Sequence, residues 1–207
     1  MISLKKVLVP VDFSASAQNA IQYCLGLMLE HNLLEVTLLH VYDQRSDTKI
    51  EDLQKQLDHW QFQFESVDLI CQTMLKEGPY EQVVIECQKQ LGADLILTGT
   101  SGDWSEGPAT HSANLVQAAD CPILVIPENV NRCVIKNIAL TLDHQKIDDT
   151  GALAVLFDLA RANHAKIHVL TINNHGWTLD QLSTSENDDI LDYYFQQLDY
   201  HLSLIHI

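Results

Sequence analysis

Hydrophobic residues along the chain alternate between short continuous runs and longer stretches with helical spacing. The run KKVLVPVD, residues 5–12, is short and rich in valine, as a buried strand requires. The stretch that follows it carries apolar residues at helical spacing, and Ser14 at its start is predicted to cap a helix over residues 14–31. The chain therefore begins with a strand and a helix.

The same alternation continues to residue 127. Strands are predicted over residues 35–42, 67–75, 93–99 and 121–127, and helices over residues 48–66, 79–92 and 109–120. Pro79 and Gly92 stand at the two ends of the third helix, where these residue types are favoured. The pattern predicts an α/β fold with a Rossmann-like, open five-stranded parallel sheet and helices on both faces.

The pattern starts again after Pro127. Residues 136–173 align with residues 5–42 without a gap, which pairs Asp12 with Asp143 and Val41 with Ile172. Residues 185–201 match the second helix, and the copy stops there, before its third strand. An internal repeat predicts a complete domain over residues 1–131, followed by an incomplete second copy over residues 132–201.

The last six residues, LSLIHI at 202–207, are predicted to be a non-native tail. The transposon mosaic-end adapter of sequencing libraries, CTG TCT CTT ATA CAC ATC, translates to these residues. We therefore expect the natural chain to continue beyond about His201 with the rest of a second domain. A stop codon after Ile207 in genomic DNA sequenced without the transposon would contradict this expectation.

Composition and charge limit the classes of partner and cofactor that this chain is expected to bind. The formal net charge is −16 and no cluster of Lys or Arg occurs, so nucleic acids and anionic membrane surfaces are disfavoured as partners. No apolar run approaches the ~20 residues of a membrane span, and no signal peptide is recognised, which predicts a cytoplasmic protein. The histidines and cysteines are dispersed without metal-ligand spacing, so no metal centre is predicted.

Four segments together resemble the universal stress protein family in its tandem two-domain form. They are KKVLVPVDFSASAQNAIQYC, VTLLHVY, GADLILTGTSG and CPILVIP, in this order. The resemblance covers residues 1 to about 130 and the first half of the repeat. It implies a cytoplasmic protein induced by stress or growth arrest, in a family with one branch that binds ATP and one that does not.

The resemblance also implies an adenine-nucleotide crevice at the carboxyl ends of the strands. Pro10 and Val41 match the walls of its base pocket, and Asp12 matches the acid beside the adenine and ribose. The residues themselves leave alternatives open, because a carboxylate after a strand can serve the N-terminus of the next helix. Val41 can equally be an ordinary strand residue.

In this chain the loop that corresponds to the family's phosphate-binding loop departs from the motif of the ATP-binding branch. Thr98 precedes the loop, and Gly99 and Gly102 fit the G-x-x-G half of the ATP-binding motif, although both glycines could simply turn the chain. Nine residues later the motif has glycine followed by serine or threonine, but this chain has Ser112 and Ala113. The Cβ of residue 112 hinders the approach of backbone N–H groups to phosphate, and residue 113 lacks a hydroxyl donor.

The charge of the loop also opposes a phosphate. Asp103 and Glu106 are negative, and no Lys or Arg occurs between Lys89 and Arg132 to offset them. Mg²⁺ bound with ATP would compensate in part. We therefore expect ATP binding to be weak and Mg²⁺ to bind only with the nucleotide.

Two functions from different classes remain. The first is a nucleotide-responsive stress module, and the second, which we favour, is an interaction protein with a vestigial crevice. No nucleophile, base and orienting acid can be named, so no catalytic residue is predicted and an enzyme is not expected, apart from slow ATP hydrolysis as a by-product of binding. The strand Cys121–Pro127 is expected at the sheet edge, where it would pair with the second domain of the same chain or with another protomer.

Overall fold

The chain divides into two compact units, Leu4–Cys133 and Val134–Ile207. A computed structural model describes residues 4–31, 35–43, 49–102, 111–130, 134–142, 150–173 and 200–206. Within these residues each unit contains a parallel sheet of its own, five-stranded in the first and three-stranded in the second. The assignment of residues 1–131 and 132–201 to a complete and an incomplete copy of one domain stays a prediction.

Strands and helices alternate throughout the first unit. Its elements are β1 (Lys6–Pro10), α1 (Ala15–His31), β2 (Glu35–Tyr42), α2 (Ile50–Glu65), β3 (Ile70–Glu77), α3 (Tyr80–Leu91), β4 (Leu95–Thr100), α4 (His111–Ala118) and β5 (Ile123–Pro127). The strands are all parallel in the order β3-β2-β1-β4-β5. The predicted Rossmann-like α/β fold, with an open five-stranded parallel sheet, is confirmed.

Helices cover both faces of this sheet. The Cβ direction of Gly99 in β4 points at the first turn of α1, whereas Ile96 of the same strand packs in one cluster with Leu115 of α4 and Val84 of α3. Residues an odd number of positions apart in a strand face opposite sides, so α1 lies on one face and α3 and α4 on the other. This double cover explains why the central strands are continuous apolar runs.

The ends of two helices follow the sequence prediction. Ser14 caps α1, because its Oγ accepts a hydrogen bond from the amide of Ala17 at 3.2 Å. Gly92 ends α3 in the left-handed conformation, with φ 61° and ψ 43°, which costs a residue without a Cβ little. Pro79 occupies the N-cap of α3 with an extended backbone.

Strand β3 begins later than the sequence predicts. The prediction started it at Val67, but residues 66–68 form a turn and the strand begins at Ile70. The amides of Val67 and Asp68 still bond to carbonyls at the end of α2, and Asp68 has a positive φ of 61°. The helix end therefore uses residues that the apolar pattern had assigned to the strand.

The second unit contains β6 (Asn137–Leu142), α5 (Thr150–Asn163), β7 (Lys166–Asn173) and β8 (Tyr200–His206). Its strands are parallel in the order β6-β7-β8. In the alignment of the repeat, β6, α5 and β7 correspond to β1, α1 and β2. Phe157 of α5 is fully buried against Leu140 and Ile167 of the sheet, so this unit has an apolar cluster of its own.

Strand β8 differs from the sequence prediction. Tyr200 and His201, predicted at the end of a helix, lie in this strand, and residues 202–206, which the prediction left out of the fold, continue it. β8 pairs in parallel with β7, as β3 does with β2. β8 supplies the backbone hydrogen bonds that the outer edge of β7 would otherwise lack. The adapter origin of residues 202–207 stays a prediction. Asp143 and residues 185–199 lie outside the described residues.

Candidate functional site

A crevice opens where β1 and β4 separate. The two strands pair at Val7–Leu95 and Leu8–Ile96, whereas β1 continues to pair with β2 as far as Pro10 and β4 with β5 as far as Thr100. The chain leaves β1 towards β2 on one side and returns to β4 on the other, so this gap is the topological switch point of the sheet. Ligands of open α/β sheets bind at such points.

Asp12 follows β1 at this gap. Its Oδ1 accepts hydrogen bonds from the Ser14 amide at 3.0 Å and from the Ser14 hydroxyl, directly before α1. The carboxylate therefore serves the N-terminus of α1, which is the alternative that the sequence left open. Asp12 is exposed, and its role beside a nucleotide stays a prediction.

Pro10 and Val41 lie on neighbouring strands beside the gap. Pro10 is buried at the end of β1 and pairs with Leu39 of β2. Val41 is half-buried near the end of β2 and packs against the apolar cluster between the sheet and α3 and α4. The structure therefore places both predicted wall residues near the same edge of the sheet, although the contacts of Val41 are also those of an ordinary strand residue.

Gly99 is fixed by helix packing. A Cβ at this position would lie 2.2 Å from the Ser16 carbonyl oxygen and 3.0 Å from the Ala17 amide nitrogen, in the first turn of α1. The space that the missing Cβ leaves is thus taken by protein backbone. Gly102 differs, because its φ is 71° and nothing lies within 4 Å of its Cβ direction, so it serves a turn.

The two halves of the loop motif meet in the structure. The Ser112 hydroxyl donates a hydrogen bond to the Gly99 carbonyl oxygen at 3.2 Å, although the residues are 13 positions apart. Ser112 and Ala113 are half-buried in the first turn of α4. The serine that replaces the glycine of the ATP-binding motif therefore fastens α4 to β4. Asp103 and Glu106 lie outside the described residues.

Tyr80 is a residue of this crevice that the sequence analysis missed. Burial raises the pKa of its hydroxyl to about 12, the Thr98 side chain opposes this rise by hydrogen bonding, and the nearby Asp12 carboxylate adds to it. Both residues that act on the pKa of this hydroxyl, Thr98 and Asp12, are predicted site residues. The only available signal was its position, directly after the loop that leaves β3.

His40 and Phe13, which the sequence analysis also missed, support the backbone beside Asp12. His40 Nδ1 donates a hydrogen bond to the Val11 carbonyl oxygen at 2.7 Å, and the His40 ring stacks on Phe13 with a centroid distance of 4.6 Å. Phe13 has a positive φ of 63°, which is uncommon for a residue with a bulky side chain. The stack and the hydrogen bond hold the backbone on both sides of Asp12.

The Glu81 carboxylate joins α3 to α4 beside the crevice. Its Oε1 accepts hydrogen bonds from His111 Nδ1 at 3.0 Å and from Asn114 Nδ2 at 3.1 Å. These two bonds hold the pKa of Glu81 below its usual range. The first turns of the two helices are therefore linked by side chains as well as by packing.

Among the described residues there is neither a metal-binding cluster nor a membrane-spanning helix. In this part of the chain no three His, Cys, Asp or Glu side chains come together as a metal site. Among the same residues, no helix has both the length and the hydrophobicity that crossing a membrane requires.

Comparison with solved structures shows the fold. A universal stress protein from Archaeoglobus fulgidus aligns over 100% of this chain and 80% of its own, with 13% identity and a TM-score of 0.77. A protein of that family from Burkholderia pseudomallei covers 61% of this chain and 98% of its own, at 21% identity and a TM-score of 0.50. A universal stress protein solved in complex with cAMP covers 61% of this chain and 99% of its own, at 14% identity and a TM-score of 0.51.

Comparison with sequences gives the family. None of the curated proteins matches this chain. The sequence model described as "Universal stress protein family" matches residues 3–127, which include the whole five-stranded sheet and the crevice. Because this match covers more than half of the chain, the chain belongs to the universal stress protein family.

Proposed function

We propose that this chain is a cytoplasmic stress-response protein that acts mainly through association with protein, and that its crevice binds adenine nucleotides only weakly. No reaction is assigned to it. The observation that carries this proposal is the hydrogen bond from the Ser112 hydroxyl to the Gly99 carbonyl. It ties together the two backbone segments between which the motif of the ATP-binding branch would hold phosphate.

The residues present fit a phosphate poorly. The space at Gly99 is filled by the backbone of Ser16, the Ser112 hydroxyl is engaged, and Ala113 has no hydroxyl. Two contacts with phosphate are lost, the close backbone approach at residue 112 and the hydroxyl at residue 113. A hydrogen bond to a charged group contributes roughly 1.5 to 3 kcal/mol, so the two losses together amount to about 3 kcal/mol or more. This corresponds to an affinity for ATP that is lower by about a hundredfold or more.

The edge strand β5 is the proposed association surface. Within the described residues its one strand partner is β4, and Ile123, Leu124 and Val125 are only half-buried. The Asn19 side chain of α1 donates hydrogen bonds to the Pro127 and Val130 carbonyl oxygens, which fixes the end of the strand. An ordered apolar edge of this kind is a template for another strand, from the second domain or from another protomer.

A nucleotide-responsive switch is the second candidate. It is favoured by the gap between β1 and β4, which lies at the switch point with Asp12 and Thr98 beside it. The neighbouring structure in complex with cAMP shares the fold and supports a nucleotide of the adenine class. In this case an occupied crevice would alter the affinity for a protein partner.

Calorimetric titration of the full chain with ATP and Mg²⁺ tests the proposal. We expect millimolar binding at best, and a large gain in affinity for Ser112→Gly/Ala113→Ser, which restores the motif and releases the bond to Gly99. Gln117→Gly/Ala118→Ser makes the same kind of change at exposed positions of α4 and should give no gain. Asp12→Ala in the repaired chain should weaken binding again. Tight binding by the unmodified chain would refute the weak-site proposal and favour the switch.

Sedimentation velocity tests the association surface. We expect the unmodified chain to self-associate as its concentration rises. Val125→Lys places a charge on β5 and should lower this self-association. Val116→Lys is the control, because residue 116 is 57% exposed on α4 and away from the sheet edge. Equal self-association of both variants and the unmodified chain would contradict strand pairing between protomers through β5.

A further inference from the structure

The Glu81 carboxylate lies between the first turns of α3 and α4. One of its oxygens, Oε1, accepts hydrogen bonds from His111 Nδ1 at 3.0 Å and from Asn114 Nδ2 at 3.1 Å. Glu81 belongs to the first turn of α3, whereas His111 and Asn114 belong to the first turn of α4. A single carboxylate oxygen of one helix therefore holds two side-chain donors of the other.

A second contact from α3 holds the His111 ring. It lies against the Tyr80 ring, with a centroid distance of 4.8 Å and an interplanar angle of 56°. The His111 side chain is nevertheless 74% exposed, compared with 34% for Glu81. The imidazole is therefore open to solvent, and its direction is set by Glu81 and Tyr80.

The distribution of charge along the sequence gives this contact its importance. Between Lys89 and Arg132, His111 is the one residue whose side chain can carry a positive charge. This interval contains the loop after β4 and the first turn of α4, where the motif of the ATP-binding branch would hold phosphate. Hydrogen bonds to ionised groups are the stronger ones in proteins, so a phosphate must displace a firmly bonded carboxylate before it can use His111 or Asn114.

We infer that the Glu81 carboxylate takes the place of a phosphate at the start of α4 and so competes with the phosphates of a nucleotide for the donors of this helix. The inference rests on the proposed function, since it names a residue that weakens the same site. Glu81 acts in two ways, because it engages two donors and also places a negative charge beside them. Both effects concern the phosphates of a nucleotide and not its base.

Calorimetric titration of full-chain variants with ATP and Mg²⁺ tests the inference. Glu81→Ala releases both donors and removes the charge, and we expect the affinity for ATP to rise about tenfold, which is the value of one hydrogen bond to a charged group. Glu86→Ala is the control and should change nothing, because Glu86 is an exposed carboxylate of the same helix that accepts a hydrogen bond from Gln82 at 2.8 Å. A folded Glu81→Ala chain that binds ATP no more tightly than the Glu86→Ala chain would overturn the inference.

Adenosine, which carries no phosphate, distinguishes competition with phosphate from a general opening of the crevice. The unmodified and Glu81→Ala chains should bind adenosine equally well, and an equal gain in affinity for adenosine and for ATP would overturn the inference. Adding His111→Ala and Asn114→Ala to the Glu81→Ala chain should remove part of the gain in ATP affinity, because the released donors are then missing. A gain that survives both substitutions undiminished would also overturn the inference.

Ser112→Gly/Ala113→Ser separates the inference from the proposed function. If this chain binds ATP more tightly than the unmodified chain while Glu81→Ala does not, the proposed weak site stands and only the role of Glu81 is refuted. If the unmodified chain binds ATP tightly, the weak-site proposal fails, and the comparison of Glu81→Ala with Glu86→Ala still decides the role of Glu81.

Discussion

Gly99→Ala tests whether the first loop glycine serves helix packing. A Cβ at residue 99 would lie 2.2 Å from the Ser16 carbonyl oxygen, 2.5 Å from the Ser16 carbonyl carbon and 3.0 Å from the Ala17 amide nitrogen. All three atoms belong to the backbone of α1, so no side-chain rotation can relieve the overlap. Either α1 or β4 must move, and both carry buried core residues.

The size of the effect follows from this geometry. Overpacking a core costs about 1–3 kcal/mol, occasionally more, and a clash with backbone belongs at the upper end, so we expect a loss of about 3 kcal/mol or more. For a chain of this length the melting temperature should fall by about 6–12 °C. Gly102→Ala is the control, because it has open space and a positive φ, which costs only about 1–2 kcal/mol.

Urea unfolding followed by tryptophan fluorescence measures both losses. Trp60 is 9% exposed in α2, and replacing Trp104 and Trp177 by phenylalanine in every variant makes it the sole reporter of the first unit. We expect Gly99→Ala to lose more unfolding free energy than Gly102→Ala. A Gly99→Ala chain as stable as the Gly102→Ala chain would show that the helix–strand contact does not require glycine.

Two further predictions concern pH and proteolysis. Because hydrogen bonds from His111 and Asn114 lower the pKa of Glu81, this carboxylate stabilises the native state above about pH 4, and its contribution is lost as the pH falls through the lowered pKa. Glu81→Gln should therefore flatten the acid decline of the unfolding free energy, and equal declines in the two chains would contradict this. Limited proteolysis followed by mass spectrometry should leave a fragment ending between about residues 127 and 136. Within the described residues the second unit has a three-stranded sheet, and a small sheet buries less apolar surface than a larger one. A resistant full-length chain would show that the second unit is equally stable.

Local sequence patterns predict most of the secondary structure of the first unit. Short apolar runs separated by helically spaced stretches gave the five strands and four helices, and Ser14 and Gly92 marked helix ends correctly. These features depend on residues within a few positions of one another. The start of β3 was missed because Val67 is apolar, while the turn that contains Asp68 is an extension of the end of α2.

The position of the candidate site was also accessible from the sequence. In a parallel α/β sheet the loops after the strands lie at one edge, so Asp12, Val41 and Thr98 could be expected together before the structure was known. The strand order then adds the gap between β1 and β4. What each of these residues does there could not be read from the same pattern.

The tertiary structure alone decided which contacts fill the crevice. The backbone of Ser16 lies against Gly99, Ser112 bonds to the Gly99 carbonyl, and the His111 ring of α4 lies against the Tyr80 ring of α3. The sequence by itself determines the strands, the helices and the location of the crevice at the carboxyl ends of the strands, because hydrophobic periodicity and helix capping depend on residues close together in the chain. These three contacts join residues between 13 and 83 positions apart, and they depend on how closely whole helices approach the sheet, which no local pattern specifies.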